Sequence, residues 1–177
     1  MSDSKKTEQL VQKVNQLTLE IDGICKQIYQ QVANEREFSS DKRQLLAQLK
    51  KEAEKDPKVR ELYNKCLRIE KDYLRRVKLN TMHNPVFRGL LWIETANNLN
   101  EAEKLSAEIM TYAKKNPARY GNCNKLLGLI YKEHNNILKQ YKLAKTYKKK
   151  QKELKQLKEK LQKTETKRKG TRSTMRL

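Results

Sequence analysis

The chain is poor in residues that interrupt helices and in residues that fill large cores. It has only 5 glycines and 3 prolines among 177 residues, and such low counts argue against a loop-rich or all-β protein. Phenylalanine and tryptophan together total only three residues, which argues against a large compact core. Hydrophobic residues make up 36% of the chain, which is a low share for a globular domain. Charged residues make up 35%, which is a high share. The composition favours long helices, some exposed around most of their circumference.

Paired cysteines, leader sequences and long apolar runs are also missing from the sequence. The three cysteines, Cys25, Cys66 and Cys123, are far apart and show no C-x-x-C spacing, which predicts free thiols in a reducing compartment. The opening "MSDSKKTEQL" has no apolar h-region, and no stretch approaches the length of a membrane span. We therefore expect an intracellular protein, cytoplasmic or nuclear, that makes no membrane contact.

The motifs of common enzyme classes are absent as well. There is no glycine-rich phosphate loop, no H-E-x-x-H and no nucleophile elbow. The two histidines, His83 and His134, lie in separate segments without cysteines or carboxylates at metal-ligand spacing. We expect a protein that is not an enzyme and has no catalytic residue, cofactor or metal.

An N-terminal helix carries a regular apolar seam. The spacing of its members is 4, 3, 4, 3 and 4 residues, which is the a/d pattern of a helix that packs against another helix. The pattern leaves open whether that second helix belongs to this chain or to another copy, so a homo-oligomer is one expectation. The predicted interface residues of this seam are Leu10, Val14, Leu17, Ile21, Ile24 and Ile28.

Capping residues and prolines predict where later helices begin. Ser39, Ser40 or Asp41 can cap a second helix, and Asp56 followed by Pro57 marks the start of a third, in which Cys66 falls on the apolar face as a small core residue. Asn100 can cap a further helix.

The segment "NPARYGNCN" predicts the strongest break in the chain. Cys123 lies within this segment, and we expect its side chain to be partly exposed. The last helix is then expected to run from about Asn124 to about Thr166, followed by a frayed tail around Gly170.

The densest apolar patch lies in the segment "LNTMHNPVFRGLLWIETANN". Trp92 and Phe87 either form a hub where helices meet or provide an exposed anchor for another protein, because tryptophan is enriched in interface hot spots. Arg88 can pair with an acidic group or stack on an aromatic ring. We predict a protein interface at Phe87, Arg88 and Trp92.

The last helix changes character along its length. His134 and Tyr141 share an apolar face with Leu127, Ile130, Ile137 and Ala144, which predicts packing roles for both. Further on, Leu154, Leu157 and Leu161 continue a narrow seam that is displaced by about one residue, and Lys150 falls on it.

Positive charge is concentrated at the C-terminal end. The net charge is +20, and residues 142–177 contribute 15 basic and 3 acidic residues, or +12 of that total. Most of these lysines have no acid at helical spacing, so a polyanionic partner would relieve their mutual repulsion. The predicted polyanion-binding residues are Lys148, Lys149, Lys150, Lys152, Lys155, Lys158, Lys160, Lys163, Lys167, Arg168, Lys169 and Arg172.

Three kinds of partner fit this charge. Nucleic acid in a nucleoprotein assembly comes first, without base specificity because the chain has no zinc finger, aromatic RNP pair or G-x-x-G loop. An acidic cytoskeletal surface such as tubulin, bound by a coiled-coil structural protein, is the second. An adaptor whose basic tail reaches an acidic protein is the third.

The sequence as a whole predicts an all-α protein: an elongated helical bundle or hairpin with coiled-coil segments and a long basic C-terminal helix. We expect residues 1–141 to form the helical core and residues 142–177 to form the basic helix and frayed tail. The expected role is structural, as one subunit of a larger assembly that contains other proteins.

Overall fold

The computed structural model describes the backbone of residues 3–81 and 85–175 and the side chains of residues 3–75 and 100–167. These residues form four helices and no strand: α1 (Asp3–Lys55), α2 (Pro57–Thr81), α3 (Pro85–Lys115) and α4 (Pro117–Met175). The protein is all-α, which confirms the fold class expected from its composition. Within the described ranges, no helix is apolar enough over a sufficient length to cross a membrane.

Proline begins each of the last three helices, where its missing N–H leaves no helical hydrogen bond unmade. The side chain of Asp56 caps α2 by accepting hydrogen bonds from the backbone N–H groups of Lys58 (3.0 Å) and Val59 (3.4 Å). The Asn116 side chain caps α4 in the same way, accepting from the backbone of Arg119 at 3.2 Å. The predicted helix start at Asp56 and Pro57 is confirmed.

Two predicted helix starts do not exist. Helix α1 continues through Ser39 and Asp41, and α3 continues through Asn100, although these residue types can cap a helix. Such residues cost only a few tenths of a kcal/mol inside a helix. No proline or glycine lies close to Ser39 or Asp41. The core contacts of Leu45, one turn beyond Asp41, are therefore enough to keep α1 intact.

The predicted break in "NPARYGNCN" is confined to Asn116, and the predicted helix start near Asn124 is wrong. Helix α4 begins at Pro117 and includes Gly121, so Cys123 lies inside the first turns of the helix and only 1% of it is exposed. The glycine costs about 1 kcal/mol, but burying Cys123 and its neighbours Tyr120 and Leu126 outweighs this penalty. At the other end, the helical backbone passes the expected end at Thr166 and reaches Met175.

The chain divides into two compact units. The larger unit contains residues 31–141, and the smaller unit combines residues 1–30 with residues 142–177. One boundary between the units falls in α4 after Tyr141, and the first 30 residues group with the basic helix.

All four helices contribute to the core of the larger unit. Leu49 of α1, Leu62 and Ile69 of α2, Ile109 of α3 and Leu126 of α4 are fully buried in one cluster. Cys66 is also fully buried there, which confirms its prediction as a small core residue.

In the larger unit, α1 and α4 run antiparallel. Gln31 accepts a hydrogen bond from Asn136 at 2.9 Å, and Glu52 accepts one from Asn122 at 2.9 Å. The predicted apolar face of α4 is confirmed, because Leu127, Ile130 and His134 are buried and Ile137 and Tyr141 are half-buried.

The apolar patch that contains the only tryptophan belongs to α3. The side chains of Phe87, Arg88 and Trp92 lie outside the described residues, so their prediction as a protein interface stays a prediction.

Candidate functional site

A regular stripe of half-buried side chains runs along the C-terminal part of α4. Its members are spaced by 4, 3, 4, 3, 4 and 3 residues, which is a heptad pattern. Between residues 142 and 167, every other side chain except Ala144 is exposed. The stripe consists of Leu143, Tyr147, Lys150, Leu154, Leu157, Leu161 and Thr164.

A matching stripe lies on α1 in the same compact unit. Leu17, Ile21 and Ile24 are only 7–9% exposed, and the other seam residues, Leu10, Val14 and Ile28, are half-buried. The chain itself therefore covers this seam, since the same unit contains the stripe of α4. Leu17 and Leu157 line one shared groove between the two stripes.

An ion pair joins α1 to the stripe of α4. The Lys150 Nζ lies 2.8 Å from the Glu20 Oε2, and both side chains are only partly exposed. The hydrogen bond with Glu20 raises the pKa of Lys150, and the same hydrogen bond lowers the pKa of Glu20. Lys150 therefore has its compensating acid inside the chain.

The remaining described lysines of the predicted set are exposed. Lys158 and Lys160 flank the stripe, and Lys167 is exposed one turn beyond Lys163. The side chains of Arg168, Lys169 and Arg172 lie outside the described residues, although their backbone belongs to α4.

The outermost heptad positions of α4, those farthest from the stripe, form a row of lysines that we call the lysine strip. No ion pair to these lysines occurs within the described residues, and Glu159 is the one acid at the same heptad positions. The strip spans about 31 Å at 1.5 Å per residue. Its members are Lys142, Lys145, Lys148, Lys149, Lys152, Lys155 and Lys163.

Sequence reasoning missed two members of the strip and three members of the stripe. Lys142 and Lys145 were not among the predicted binding residues, and Leu143, Tyr147 and Thr164 were not assigned to the seam. A heptad register extended in both directions from Leu154 would have found all five.

The first 30 residues do not neutralise the lysine strip. They contain 4 basic and 4 acidic residues, so the smaller unit keeps the +12 charge of residues 142–177. Such a surplus attracts anions and raises their local concentration around the helix.

A second concentration of charged groups lies inside the larger unit. The Lys42 Nζ is 3.2 Å from a Glu70 carboxylate oxygen and 2.5 Å from a Glu133 carboxylate oxygen. His134 is buried beside them and stacks on the ring of Tyr73, with ring centroids 4.8 Å apart. The adjoining cavity measures about 20 Å³, which is room for about one water molecule and too small for a substrate.

The buried cysteines are not nucleophiles. The Cys66 thiol donates a hydrogen bond to the Cys123 carbonyl at 3.6 Å. Burial raises the pKa of Cys66 to about 12 and that of Cys123 to about 11, so both thiols stay protonated at neutral pH. Within the described ranges, no group of three or more histidines, cysteines or carboxylates is placed to hold a metal ion.

Comparisons with protein-family models, with curated proteins and with solved structures found no match. The chemistry of the chain's own residues is therefore the basis for a functional proposal.

Proposed function

We propose that the protein is a non-enzymatic structural or assembly component whose lysine strip binds a polyanion, with nucleic acid in a nucleoprotein assembly as the preferred partner. The observation that carries this proposal is the contrast between two kinds of lysine on one helix. Lys150 has an acid at 2.8 Å, whereas the seven lysines of the strip are exposed and have no ion pair among the described residues. A partner that supplies regularly spaced negative charge would compensate them.

The proposal includes an antiparallel coiled-coil hairpin between residues 3–30 and residues 142–167. Its support is the heptad spacing of both stripes and the ion pair between Glu20 and Lys150. Such a hairpin would hold the lysine strip straight before the polyanion arrives. Binding would then cost less conformational entropy than the ordering of a flexible basic tail.

The residue types in the strip favour contacts with phosphate over contacts with bases. A lysine ammonium acts as a point charge, whereas specific base recognition relies on the bidentate geometry of arginine, asparagine or glutamine. Tyr147 belongs to the half-buried stripe and accepts a hydrogen bond from Gln151, so it is not part of an exposed stacking platform. Nucleic-acid binding by the strip would therefore show little sequence preference.

The length of the strip favours a second candidate. A row of lysines about 31 Å long could lie along an acidic filament such as a microtubule as readily as along a duplex. In that case the protein would be a cytoskeletal coiled-coil component.

Direct binding measurements can separate these partners. The intact protein is mixed with fluorescent RNA and DNA duplexes of mixed sequence, and separately with microtubules that carry or lack their acidic tails. The test variant changes Lys148, Lys149, Lys152 and Lys155 to glutamine. The matched control makes the same change in charge at four exposed lysines elsewhere, namely Lys50, Lys71, Lys104 and Lys139.

We expect the test variant to lose roughly tenfold or more in affinity for nucleic acid, and the control to lose much less. An equal loss in both variants would contradict a specific role for the strip. Binding to microtubules alone would favour the cytoskeletal candidate. Binding to neither would leave an acidic protein as the partner of an adaptor.

A further inference from the structure

Two open grooves flank the N-terminal part of α4 in the larger unit. The first lies between α3 and α4, measures about 660 Å³ and is lined by Met110, Ala113, Lys114, Gly121 and Lys125, among others. The second lies between α1 and α4, measures about 480 Å³ and is lined by Gln44, Leu45, Lys125, Gly128 and Lys132, among others. Lys125 lines both, so the two grooves lie side by side along α4, and together we call them the α4 groove.

The floor of the α4 groove is largely apolar and open. Met110 is 53% exposed, while Leu45 and Leu129 are half-buried. A Cβ atom built on Gly121 or Gly128 would meet nothing within 4 Å. The chain accepts two glycines inside a helix here, although alanine would fit and favours a helix more.

The rim of the α4 groove is basic. Lys114, Lys125 and Lys132 are exposed and have no ion pair among the described residues. Lys51 and Lys55 extend this basic rim, because they continue the face of α1 on which Gln44 and Gln48 line the groove.

Few acids balance this rim. Asp41 lines one end of the groove. Glu52 accepts a hydrogen bond from Asn122 and so is already engaged. The surface therefore combines an apolar floor with an excess of positive charge.

We propose that the α4 groove binds an acidic amphipathic helix of a partner protein. The apolar face of that helix would cover Met110, Leu129 and the bare backbone at the two glycines, and its carboxylates would reach the lysines of the rim. A second copy of this chain fits poorly, since two surfaces of the same charge would meet. Nucleic acid fits poorly too, because a phosphate backbone would leave the apolar side chains of Met110 and Leu129 without an apolar partner.

A designed peptide tests this proposal. The probe is a fluorescein-labelled helix of about 18 residues with leucine at i, i+3, i+4 and i+7 and glutamate at most other positions. One comparison peptide has the same composition in scrambled order, and a second replaces each leucine by glutamine. At about 150 mM salt, we expect the amphipathic peptide to bind the intact protein at least roughly tenfold more tightly than either comparison peptide.

Variants locate the binding surface. Gly121→Leu with Gly128→Leu fills the groove, and we expect roughly tenfold weaker peptide binding with an unchanged circular dichroism spectrum. Should the double variant misfold, the smaller change Gly128→Ala adds one methyl group to open space and is expected to weaken binding while raising the thermal midpoint. Lys125→Glu with Lys132→Glu should also weaken binding, and by more than Lys152→Glu with Lys155→Glu in the lysine strip.

Equal binding of all three peptides would overturn the proposal, because charge alone would then explain the affinity. Loss of binding in the strip variant, with the groove variants unaffected, would overturn it as well. Neither result depends on nucleic-acid binding by the lysine strip, so the two proposals fail independently.

Discussion

The ammonium group of Lys150 lies 2.8 Å from the carboxylate of Glu20, a residue 130 positions earlier in the chain. This ion pair divides the lysines of the C-terminal helix into two kinds. Lys150 lies on the half-buried stripe and is compensated within the chain, whereas the lysine strip faces outward. The helix is therefore supported along one narrow stripe, and the lysines of the strip stay exposed.

This division predicts different consequences for neighbouring lysines. Lys150→Gln should lower the thermal midpoint, because Glu20 loses its partner, and should leave nucleic-acid affinity nearly unchanged. Lys152→Gln should leave the thermal midpoint nearly unchanged and should weaken nucleic-acid binding. The slope of log affinity against log salt should become smaller in magnitude by about 0.9, the value for one lost contact with a duplex phosphate. Calorimetry and fluorescence binding measure both effects. The distinction fails if the two variants behave alike.

The ion pair between Asp56 and Arg119 predicts a pH dependence of stability. Arg119 donates hydrogen bonds of 2.7 and 2.8 Å to the two carboxylate oxygens of Asp56. The Arg119 guanidinium lowers the pKa of Asp56 to about 2, from an ordinary value of 3.8. The carboxylate therefore adds stability above its unfolded pKa, and this contribution is lost as the pH falls from about 4 to about 2.

Asp56→Asn should accordingly lower the thermal midpoint more at pH 7 than near pH 2. Asp22→Asn is the control, since Asp22 is exposed and has no ion pair among the described residues. An Asp56→Asn effect of the same size at both pH values would show that the ion pair contributes nothing and that only the helix cap matters.

The charged cluster around Lys42 predicts a large effect of one substitution. Burial lowers the pKa of Lys42, but the hydrogen bond with Glu133 and the charge of Glu70 outweigh this effect and raise it. Lys42→Met would leave two carboxylates close together without a cation, at a cost of about 1–3 kcal/mol in the free energy of unfolding. Urea denaturation measures the change.

A triple variant provides the control for this cluster. Adding Glu70→Gln and Glu133→Gln to Lys42→Met removes the uncompensated charges, so most of the lost stability should return. A Lys42→Met variant as stable as the parent would contradict this account.

The same cluster predicts a pH dependence. In the unaltered protein, the stability that Lys42 contributes should be lost as the pH rises above about 10.5, because the pKa of Lys42 is higher in the folded chain than in the unfolded chain.

The cysteines should differ in reactivity. Cys66 and Cys123 are buried and protonated, so a thiol reagent at pH 8 should reach them only on unfolding. Cys25 is only half-buried and should react in the folded protein. A titration with a chromogenic disulfide should therefore show one fast thiol and two that appear with denaturant. Three fast thiols would contradict the burial of the pair.

The sequence predicted those features that depend on spacing along a helix. The heptad spacing of Leu10 to Ile28 identified the inward face of α1, and Asp56 with Pro57 identified a real helix start. These signals are local, because a helical face and a cap are set by residues within one or two turns.

Features that depend on tertiary contacts were missed. Ser39, Asn100 and Gly121 all lie inside helices, since packing decides whether a weak helix former ends the helix or remains within it. The acid that pairs with Lys150 could not be identified either, because heptad spacing gives no register between two helices that are far apart in sequence.

The slope of log affinity against log salt tests the central claim most directly. The intact protein is compared with its Lys148, Lys149, Lys152 and Lys155 to glutamine variant, because a truncation at Tyr141 would uncover the apolar stripe of α1. We predict a steep slope for binding of the intact protein to a mixed-sequence duplex. The variant should have a slope smaller in magnitude by about 3 to 4, which is the number expected for four lost phosphate contacts. Identical slopes for the two proteins would contradict the claim that the lysine strip binds a polyanion.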